Sequence, residues 1–291
     1  MNPLLSSSEL YREACKKLSS SNISNAKNEA AWILEFAAGL TRLLVHTSPD
    51  HVVSDDNRER VLDCIARRAS GEPLQYIIGS QDFWGRDFMV SRSVLIPRPE
   101  TELLVQAALE RLRGRSSPLI VDVGTGSGCL AITLNEEIPS SIVLAMERNP
   151  MAIRIAQHNA WLHGQNGDVR FCVGDLLAPL LSTHLVGKVT AIVANLPYIR
   201  EDEFPTLSRE VIDFEPKMAL VGGPDGLSLY RRLLPEAEKV LAANGHLLLE
   251  VGRGQASRLC EEVNSVGNYH VNEIIHDSLG IQRVICLERK G

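Results

Sequence analysis

Four consecutive residues in the second half of the chain, Asn195, Leu196, Pro197 and Tyr198, have types that suit them to hold a reacting nitrogen. An amide or amino nitrogen with two hydrogens needs acceptors that hold those hydrogens and direct its lone pair at an electrophile. The Asn195 side-chain oxygen can accept one hydrogen, and the backbone carbonyl of Leu196 can accept the other. Pro197 restricts Leu196 to extended geometry, and Tyr198 offers a flat face to a planar group. These residues are the candidate catalytic and substrate-binding residues; the alternative is a strand-ending turn with a packed tyrosine.

A glycine-rich turn follows an apolar run and precedes an apolar helix, Cys129–Leu134. Glycine lets the backbone turn tightly and lets a ligand approach without a Cβ in the way. A dinucleotide-binding G-x-G-x-x-G pattern would need glycine at Cys129, and a Walker loop would need GK[ST]. The observed G-x-G-x-G spacing resembles the S-adenosylmethionine loop of Rossmann-like methyltransferases and disfavours an NAD oxidoreductase. The candidate cofactor-binding residues here are Gly124, Thr125, Gly126, Ser127 and Gly128.

Acidic residues follow the next two predicted strands. Glu147 ends one strand, where a carboxylate can accept hydrogen bonds from both ribose hydroxyls in doubly wound nucleotide sites. Asp175, with Leu176 beside it, lies where similar folds place an acceptor for the adenine amino group. We take Glu147, Asp175 and Leu176, together with Asn195, as candidate cofactor-binding residues. Helix capping is the alternative for Glu147 and Asp175. The eight histidines lack metal-ligand spacing, so no metal site is expected.

The elements that must position these residues alternate between strand and helix. Apolar runs predict strands covered on both faces at Leu119–Val123, Ile142–Met146, Val169–Val173, Val189–Ala194 and His246–Val251. Amphipathic helices are predicted between them, notably Met151–His163 and Leu227–Ala243. This alternation predicts a parallel, doubly wound α/β sheet, closed at one edge by a hairpin of Tyr269–His276 and Arg283–Glu288. Ligands bind at the carboxyl edge of such sheets, where the glycine turn and Asn195 are both expected.

The first seventy residues predict a small all-α domain. One helix is expected to be capped by Ser8 and to bury Leu10, Ala14 and Leu18; a second ends at Gly39, and a third begins after Ser54. Residues 1–80 hold nine Lys/Arg and ten Asp/Glu, which favours a packing or docking module without a basic stripe. Aromatic and β-branched runs around Gly79 and Ser80 predict a hairpin linker. We therefore expect domains at 1–72 (helical, substrate recognition), 73–97 (linker) and 98–291 (catalytic).

Composition narrows the class of protein further. A net charge of −6 and 44% hydrophobic residues are ordinary for a globular protein and argue against a surface built for nucleic acid. The six cysteines form no CxxC pair, the first residues lack a signal-peptide core, and no apolar run has membrane-spanning length. The sequence therefore predicts a cytoplasmic enzyme without a membrane partner, and we expect a monomer. The three tryptophans, 32, 84 and 161, are expected in the core or between domains.

Taken together, several motifs resemble the PrmC/HemK family, and the resemblance covers essentially the whole chain. Asn195–Tyr198 is similar to the Asn-Pro-Pro-Tyr signature of amino- and amide-nitrogen methyltransferases. Further motifs of the family match at Pro73–Gly79, Phe83-Trp84, Leu95–Glu102, Glu215-Pro216, Gly222–Leu227 and Glu250–Gly252 with Gln255. The resemblance implies a Rossmann-like class I methyltransferase domain with a mostly parallel seven-stranded sheet, preceded by the all-α domain and the hairpin.

The same resemblance implies the activity: transfer of a methyl group from S-adenosylmethionine to the glutamine side-chain nitrogen, N5, of the Gly-Gly-Gln motif of peptide chain release factors. The chain departs from the family pattern at Leu196, where the family has proline. Asn-Leu-Pro-Tyr is also similar to the motif of ribosomal RNA adenine dimethyltransferases, so methylation of adenine N6 in RNA or DNA is the alternative. A protein that holds the cofactor without catalysis is disfavoured by the intact Asn195, Pro197 and Tyr198.

Overall fold

The computed structural model describes residues 6–165 and 167–291, which form two compact units. The helical unit contains the described residues up to Gly79 together with Ser208–Phe214; the sheet unit contains Ser80–Leu207 and Glu215–Gly291. The helices are α1 Ser7–Ser20, α2 Ala26–Ala38, α3 Arg42–Thr47, α4 Asp55–Ala69, α5 Leu74–Ile78, α6 Glu102–Leu112, α7 Cys129–Glu137, α8 Pro150–Leu162, α9 Arg209–Phe214, α10 Ser228–Val240 and α11 Ala256–Val266. The strands are β1 Ser80–Phe83, β2 Arg86–Met89, β3 Leu119–Val123, β4 Ile142–Glu147, β5 Val169–Val173, β6 Val189–Ala194, β7 Leu241–Glu250, β8 Tyr269–His276 and β9 Gln282–Arg289.

The first helix buries Leu10, Ala14 and Leu18 as predicted, but its predicted cap, Ser8, is wrong. The cap is Ser6, whose hydroxyl accepts from the Glu9 backbone N–H at 3.3 Å. The Glu9 carboxylate accepts from the Ser6 N–H at 2.9 Å in return. This reciprocal capping box satisfies two backbone donors, which a cap at Ser8 would leave without these partners.

The rest of the helical unit follows the predicted pattern, with an addition from a distant part of the chain. Helix α2 is followed by Gly39 and α4 is capped by Ser54, as expected. The buried side chain of Arg68 donates to Glu29 at 2.5 Å and to Glu210 at 3.2 Å. Because Glu210 lies on α9, this pair of bonds ties α9 to the helices of the first eighty residues.

A hairpin is present, but its turn is not where the sequence placed it. Tyr76, Ile77 and Ile78 belong to α5, because Ile77 is buried in the core of the helical unit and Ile78 packs against that core. The strands β1 and β2 instead turn at Trp84 and Gly85, whose φ angles are +58° and +68°. Two successive residues with positive φ are typical of the tight type I′ turn of β-hairpins.

The sheet has the order β5-β4-β3-β6-β7-β9-β8, with β9 antiparallel to both of its neighbours and the remaining neighbours parallel. This confirms the mostly parallel, seven-stranded prediction. Helices α6, α7 and α8 pack on one face, and α10 and α11 pack on the other. Parallel neighbours in register bring the carboxyl ends of β3, β4, β5 and β6 side by side, which is where the candidate residues lie.

Two further expectations need correction. Helix α10 ends at Val240, earlier than predicted, because the N–H groups of Gly187 and Lys188 donate to the carbonyls of the helix's last two residues and Leu241 pairs with β6. Trp32 and Trp161 expose 47% and 62% of their surface, so they are not core residues. Within the described ranges, each helix is too short or too polar to cross a membrane.

Candidate active site

A cavity of about 610 Å³ opens at the carboxyl edge of the sheet, within the range of about 300–1,000 Å³ of small-molecule sites. Most predicted site residues line it: Gly124, Thr125, Gly126, Ser127, Glu147, Asp175, Leu176, Asn195, Leu196 and Pro197. Gly128 and Tyr198 lie outside the lining. Further lining residues come from the 93–101 segment and from Pro216–Gly223. The structure therefore brings two predicted sets together, the glycine loop (Gly124–Gly128) and the acceptor motif (Asn195–Tyr198).

The glycine loop is held by hydrogen bonds to its own neighbours in the sheet. The N–H groups of Gly124 and Thr125 donate to the Met146 carbonyl at 2.8 and 3.0 Å. Gly126 has φ +55°, and a Cβ built there would meet no protein atom closer than 3.9 Å. The loop thus leaves open space in front of Gly126, beside the cavity.

A buried carboxyl group in β3 forms a hydrogen bond with the glycine loop. Asp122, at 0% exposure, accepts the Thr125 hydroxyl at 2.6 Å. Burial raises the pKa of Asp122 to about 7, although the bond from Thr125 opposes that effect. Sequence reasoning assigned Asp122 no role; an acid inside an otherwise apolar strand was the available signal.

Glu147 bridges the loop and the start of α8. Its Oε2 accepts from the Gly126 N–H at 3.1 Å and its Oε1 from the Asn149 N–H at 2.8 Å. An ionised carboxylate offers about four acceptor sites, so each oxygen keeps one for a ligand. The two backbone bonds also fix the orientation of the carboxylate at the cavity wall.

Asp175 is held less tightly than Glu147. Its carboxylate is exposed and accepts from Arg232 at 2.6 Å. Leu176 beside it is buried and has φ +50°. The chain therefore turns sharply here, with Asp175 at the rim of the cavity and Leu176 inside.

In the acceptor motif, the Asn195 amide is oriented by a side chain from another segment. Its Nδ2 donates to the Thr101 Oγ1 at 3.0 Å. Of the two ends of the amide, the nitrogen is therefore occupied by a protein partner, and Oδ1 points away from Thr101. Thr101 also lines the cavity and is almost fully buried.

The Leu196 carbonyl lies 3.3 Å from the hydroxyl of Tyr230, a fully buried residue of α10. That hydroxyl lies only 2.6 Å from the Glu250 carbonyl. A tyrosine has one proton to donate, and the shorter contact takes it. The Leu196 carbonyl consequently keeps acceptor capacity.

The remainder of the acceptor motif is packed tightly against neighbouring loops. The Tyr198 carbonyl accepts from Gln255 Nε2 at 2.7 Å, and Gln255 Oε1 accepts from the Gly252 N–H at 2.9 Å. A Cβ at Gly222 would lie 2.2 Å from the Pro197 carbonyl oxygen, so only glycine permits this approach. Burial raises the pKa of the Tyr198 hydroxyl to about 12, which keeps it neutral near pH 7.

Comparisons with known proteins match both units. A model of the PrmC N-terminal domain matches residues 9–79, and one of the methyltransferase small domain matches residues 99–214. The release factor glutamine methyltransferase of Nitratidesulfovibrio vulgaris is 39% identical over 282 residues, covering 96% of this chain and 94% of that protein. The enzyme of the same name from Koribacter versatilis is 38% identical over 277 residues, covering 95% and 96%. This chain belongs to the release factor glutamine methyltransferase family.

The fold of this family member is also found in a more distant protein. The hMettl16 catalytic domain, solved in complex with MAT2A 3′UTR hairpin 6, has a TM-score of 0.56 and 15% identity, covering 82% of this chain and 84% of that chain. At this identity the likeness shows the fold alone, that of a Rossmann-like domain. Membership of the family makes the chain a protein-glutamine methyltransferase by class.

The departure at Leu196 has a structural counterpart in this glutamine methyltransferase. The Leu196 side chain is 3% exposed and belongs to the core below the sheet edge. A Cβ at Gly124 would come within 3.3 Å of its Cδ2. Leucine therefore fills the space between the acceptor motif and the glycine loop.

Sequence reasoning missed the residues that support the acceptor motif. Thr101, Tyr230, Glu250 and Gln255 come from segments far from Asn195 along the chain. Thr101, Glu250 and Gln255 stand in or beside blocks that resemble the family, but no side-chain role was assigned to them. Arg98 and Glu215, from two more such blocks, form an ion pair. The contacts that all these residues make became evident only from the fold.

Proposed function

We propose that this enzyme transfers a methyl group from S-adenosylmethionine to the side-chain nitrogen, N5, of the glutamine in the Gly-Gly-Gln motif of peptide chain release factors. The observation that carries the proposal is the placement of Asn195, whose nitrogen is occupied by Thr101 beside a cavity shared with the glycine loop. An asparagine held in this way presents an oxygen, which is what an –NH₂ group requires. The names of the relatives, release factor glutamine methyltransferase, agree with this substrate.

The residues of the loop side fit the methyl donor. Gly126 leaves room for a ligand next to the backbone, and Glu147 keeps acceptor sites for two hydroxyls. Asp175 lies at the rim of the cavity. Its Oδ2 accepts from Arg232, and its Oδ1 can accept from an amino group. When bound, S-adenosylmethionine supplies an electrophilic methyl group on a sulfonium centre. The chain's part here is to bind and orient it.

The acceptor motif positions the nucleophile. Asn195 Oδ1 and the Leu196 carbonyl accept the two hydrogens of the glutamine amide, so that its nitrogen is directed at the methyl group. The nitrogen can lose its extra proton to water after transfer, so no strong general base is required. Pro197 stiffens the turn that carries the Leu196 carbonyl.

We also propose that the helical unit recognises the protein substrate. With Arg209, Glu210 and Asp213 of α9 included, it holds ten basic and twelve acidic residues, and this near balance disfavours binding driven by phosphates. On α2, Trp32 and Phe36 lie one helical turn apart and are both about half exposed, which suits contact with an apolar protein surface. Replacing both by alanine should raise the KM for a release factor about tenfold while leaving methyl-donor affinity unchanged. Equal losses of affinity for the release factor and for the methyl donor would assign the unit a structural role.

The expectations of a cytoplasmic, monomeric and metal-free enzyme rest on the sequence and stay predictions.

Tandem mass spectrometry tests the proposed substrate directly. A bacterial release factor incubated with the enzyme and S-adenosylmethionine should carry one added methyl on the glutamine of Gly-Gly-Gln. A release factor with that glutamine replaced by glutamate is the matched control and should stay unmodified. Ribosomal RNA is run in parallel, because adenine N6 in RNA or DNA is the alternative acceptor. Methylated RNA with an unmodified release factor would overturn the proposal.

A further inference from the structure

Basic side chains line the cavity at three positions within the described residues, Arg98, Arg148 and Lys217. Arg148 and Lys217 are exposed, whereas the side chain of Arg98 is 33% exposed and pairs with Glu215. The Glu215 side chain is only 2% exposed. In the part of the chain that the structure describes, Arg98 is therefore the lining cation that a buried acid holds in place.

Glu215 fixes both the backbone and the side chain of the segment that carries Arg98. Its Oε1 accepts from Arg98 Nη2, and its Oε2 accepts from the Ile96 N–H at 3.4 Å. Arg98 also lies between Pro97 and Pro99, and a following proline favours the extended backbone that Arg98 adopts, with φ −103° and ψ 144°. Moving the guanidinium away would leave a buried carboxylate without its cation, which is strongly unfavourable. The guanidinium is therefore held at the cavity wall before a ligand binds.

Most of the hydrogen-bonding capacity of Arg98 is left for a ligand. A guanidinium has five N–H donors and no acceptor. Within residues 6–165 and 167–291, the bond to Glu215 is the only hydrogen bond of the Arg98 side chain, and it engages one of those donors. Replacing a buried ion pair by apolar residues of similar size is often neutral for stability. The unused donors at the cavity wall are therefore what this pair gives to the site.

The segment that carries Arg98 lies on the acceptor side of the cavity. The Arg98 carbonyl accepts from the Thr101 N–H at 3.1 Å, and Thr101 in turn orients Asn195. Glu100 lies 3.8 Å from Arg283 of β9, which is separated from β6 only by β7. The carboxylate that we assign to the donor's ribose ends β4, on the other side of β3. Arg98 therefore belongs with the acceptor motif and not with the ribose site.

We propose that Arg98 binds a backbone carbonyl of the Gly-Gly segment that precedes the substrate glutamine, and that Glu215 positions it for this contact. This inference rests on the proposed function. Glycines have no side chains, so a site can form hydrogen bonds with them only through their backbone N–H and C=O groups. Asn195 Oδ1 and the Leu196 carbonyl are acceptors, so neither can serve a substrate carbonyl. A carbonyl that leaves water for the cavity needs a donor, and a charged donor forms the stronger bond.

Removal of the donors tests this proposal through the KM for the release factor. Arg98→Met keeps an unbranched apolar stem and should raise that KM roughly tenfold to a hundredfold, the scale of one hydrogen bond to a charged group. kcat should stay within a few-fold of the wild type, because both acceptors of the transfer step are untouched. Arg111→Met is the matched control, since Arg111 pairs with Glu273 at 2.6 Å outside the cavity lining. Equal KM values for the two variants would overturn the proposal.

A double variant separates substrate binding from a merely structural role of the ion pair. Arg98→Met alone leaves Glu215 buried without its cation, whereas Glu215→Gln added to it removes that charge and keeps an oxygen for the Ile96 N–H. Denaturant unfolding should show that the second change restores stability. We expect the KM to stay raised in the double variant, because the donors are still missing. A KM that returns to the wild-type value together with stability would show that the pair only holds the segment.

Calorimetric titration with S-adenosylmethionine shows whether Arg98 serves the methyl donor instead, because the donor's carboxylate can also bind a guanidinium. The dissociation constant should be the same for Arg98→Met and the wild type. An increase as large as that of the KM would assign Arg98 to the donor and contradict the proposal.

The wild-type enzyme distinguishes failure of the inference from failure of the proposed function. If it leaves the release factor unmodified, the proposed function is wrong, and the role of Arg98 falls with it. If it methylates the release factor and Arg98→Met has the same KM, the substrate stands and only the role of Arg98 is wrong.

Discussion

On one wall of the cavity, the glycine loop is held by residues that are its neighbours along the chain or in the adjacent strand. Asp122 lies three residues from its partner Thr125, and the Met146 carbonyl and Glu147 come from β4, which pairs with β3. On the neighbouring wall, which follows the adjacent strand β6, the acceptor motif is held by side chains from distant segments. Thr101 is 94 residues from Asn195, and Gln255 is 57 residues from Tyr198.

The difference follows from what each wall has to do. A loop that binds a ligand through backbone and open space can be built locally, because glycine and one strand pairing suffice. An acceptor that must offer one defined end of an amide needs partners that choose between oxygen and nitrogen, and those partners must be buried to be effective. We therefore expect changes on the loop wall to affect methyl-donor binding and changes on the acceptor wall to affect the rate.

The largest effect is expected for Gly126→Val. A Cβ there meets no protein atom closer than 3.9 Å, so the side chain enters the space next to the cavity and should abolish donor binding. Gly280→Val is the matched control, since Gly280 also has a positive φ, +75°, and nothing within 4 Å of a built Cβ. Both variants carry backbone strain of about 1–2 kcal/mol, but only the first should fail in calorimetric titration. Normal binding by Gly126→Val would remove the loop from the site.

Asn195→Ala should have the next largest effect, on the rate. Losing one hydrogen-bonding group of the transition state lowers the rate roughly a hundredfold or more. Single-turnover methylation of a release factor at saturating donor measures this loss. Asn272→Ala on the exposed strand β8 is the control and should react at the wild-type rate. An Asn195→Ala rate equal to that of the control would remove Asn195 from the transfer step.

Leu196→Ala should affect stability more than chemistry. The side chain is buried and fills the space against Gly124, so its removal should cost about 2–5 kcal/mol of unfolding free energy. The folded fraction should retain most of its rate, because the acceptor is a backbone carbonyl. Leu279→Ala, at a leucine that is 83% exposed, should change stability little. Denaturant unfolding measures the stability. Methylation of adenine in RNA or DNA by the wild-type enzyme would contradict this account, because it would indicate that Leu196 shapes a pocket for a base.

The sequence allowed the sheet and the loop wall to be predicted, because both depend on patterns within short segments. The strands ending at Val123, Val173 and Ala194 were predicted with the bounds they have. The wrong cap of α1 is a local error, but others occurred where longer-range contacts decide: the end of α10 depends on donors from Gly187 and Lys188. Tyr76–Ile78 are helical, with Ile77 buried in the core of the helical unit. The partner of Asn195 belongs to the same class, since no local pattern relates Thr101 to residue 195.

The central claim is that the acceptor wall carries out transfer without contributing much to donor binding. The most direct test is the affinity of Asn195→Ala for S-adenosylmethionine, measured by calorimetry on the preparation used for its rate. We predict a dissociation constant within a few-fold of the wild type, because the loop and Glu147 are untouched. A loss of affinity as large as the loss of rate would contradict the account, since Asn195 would then act by holding the donor.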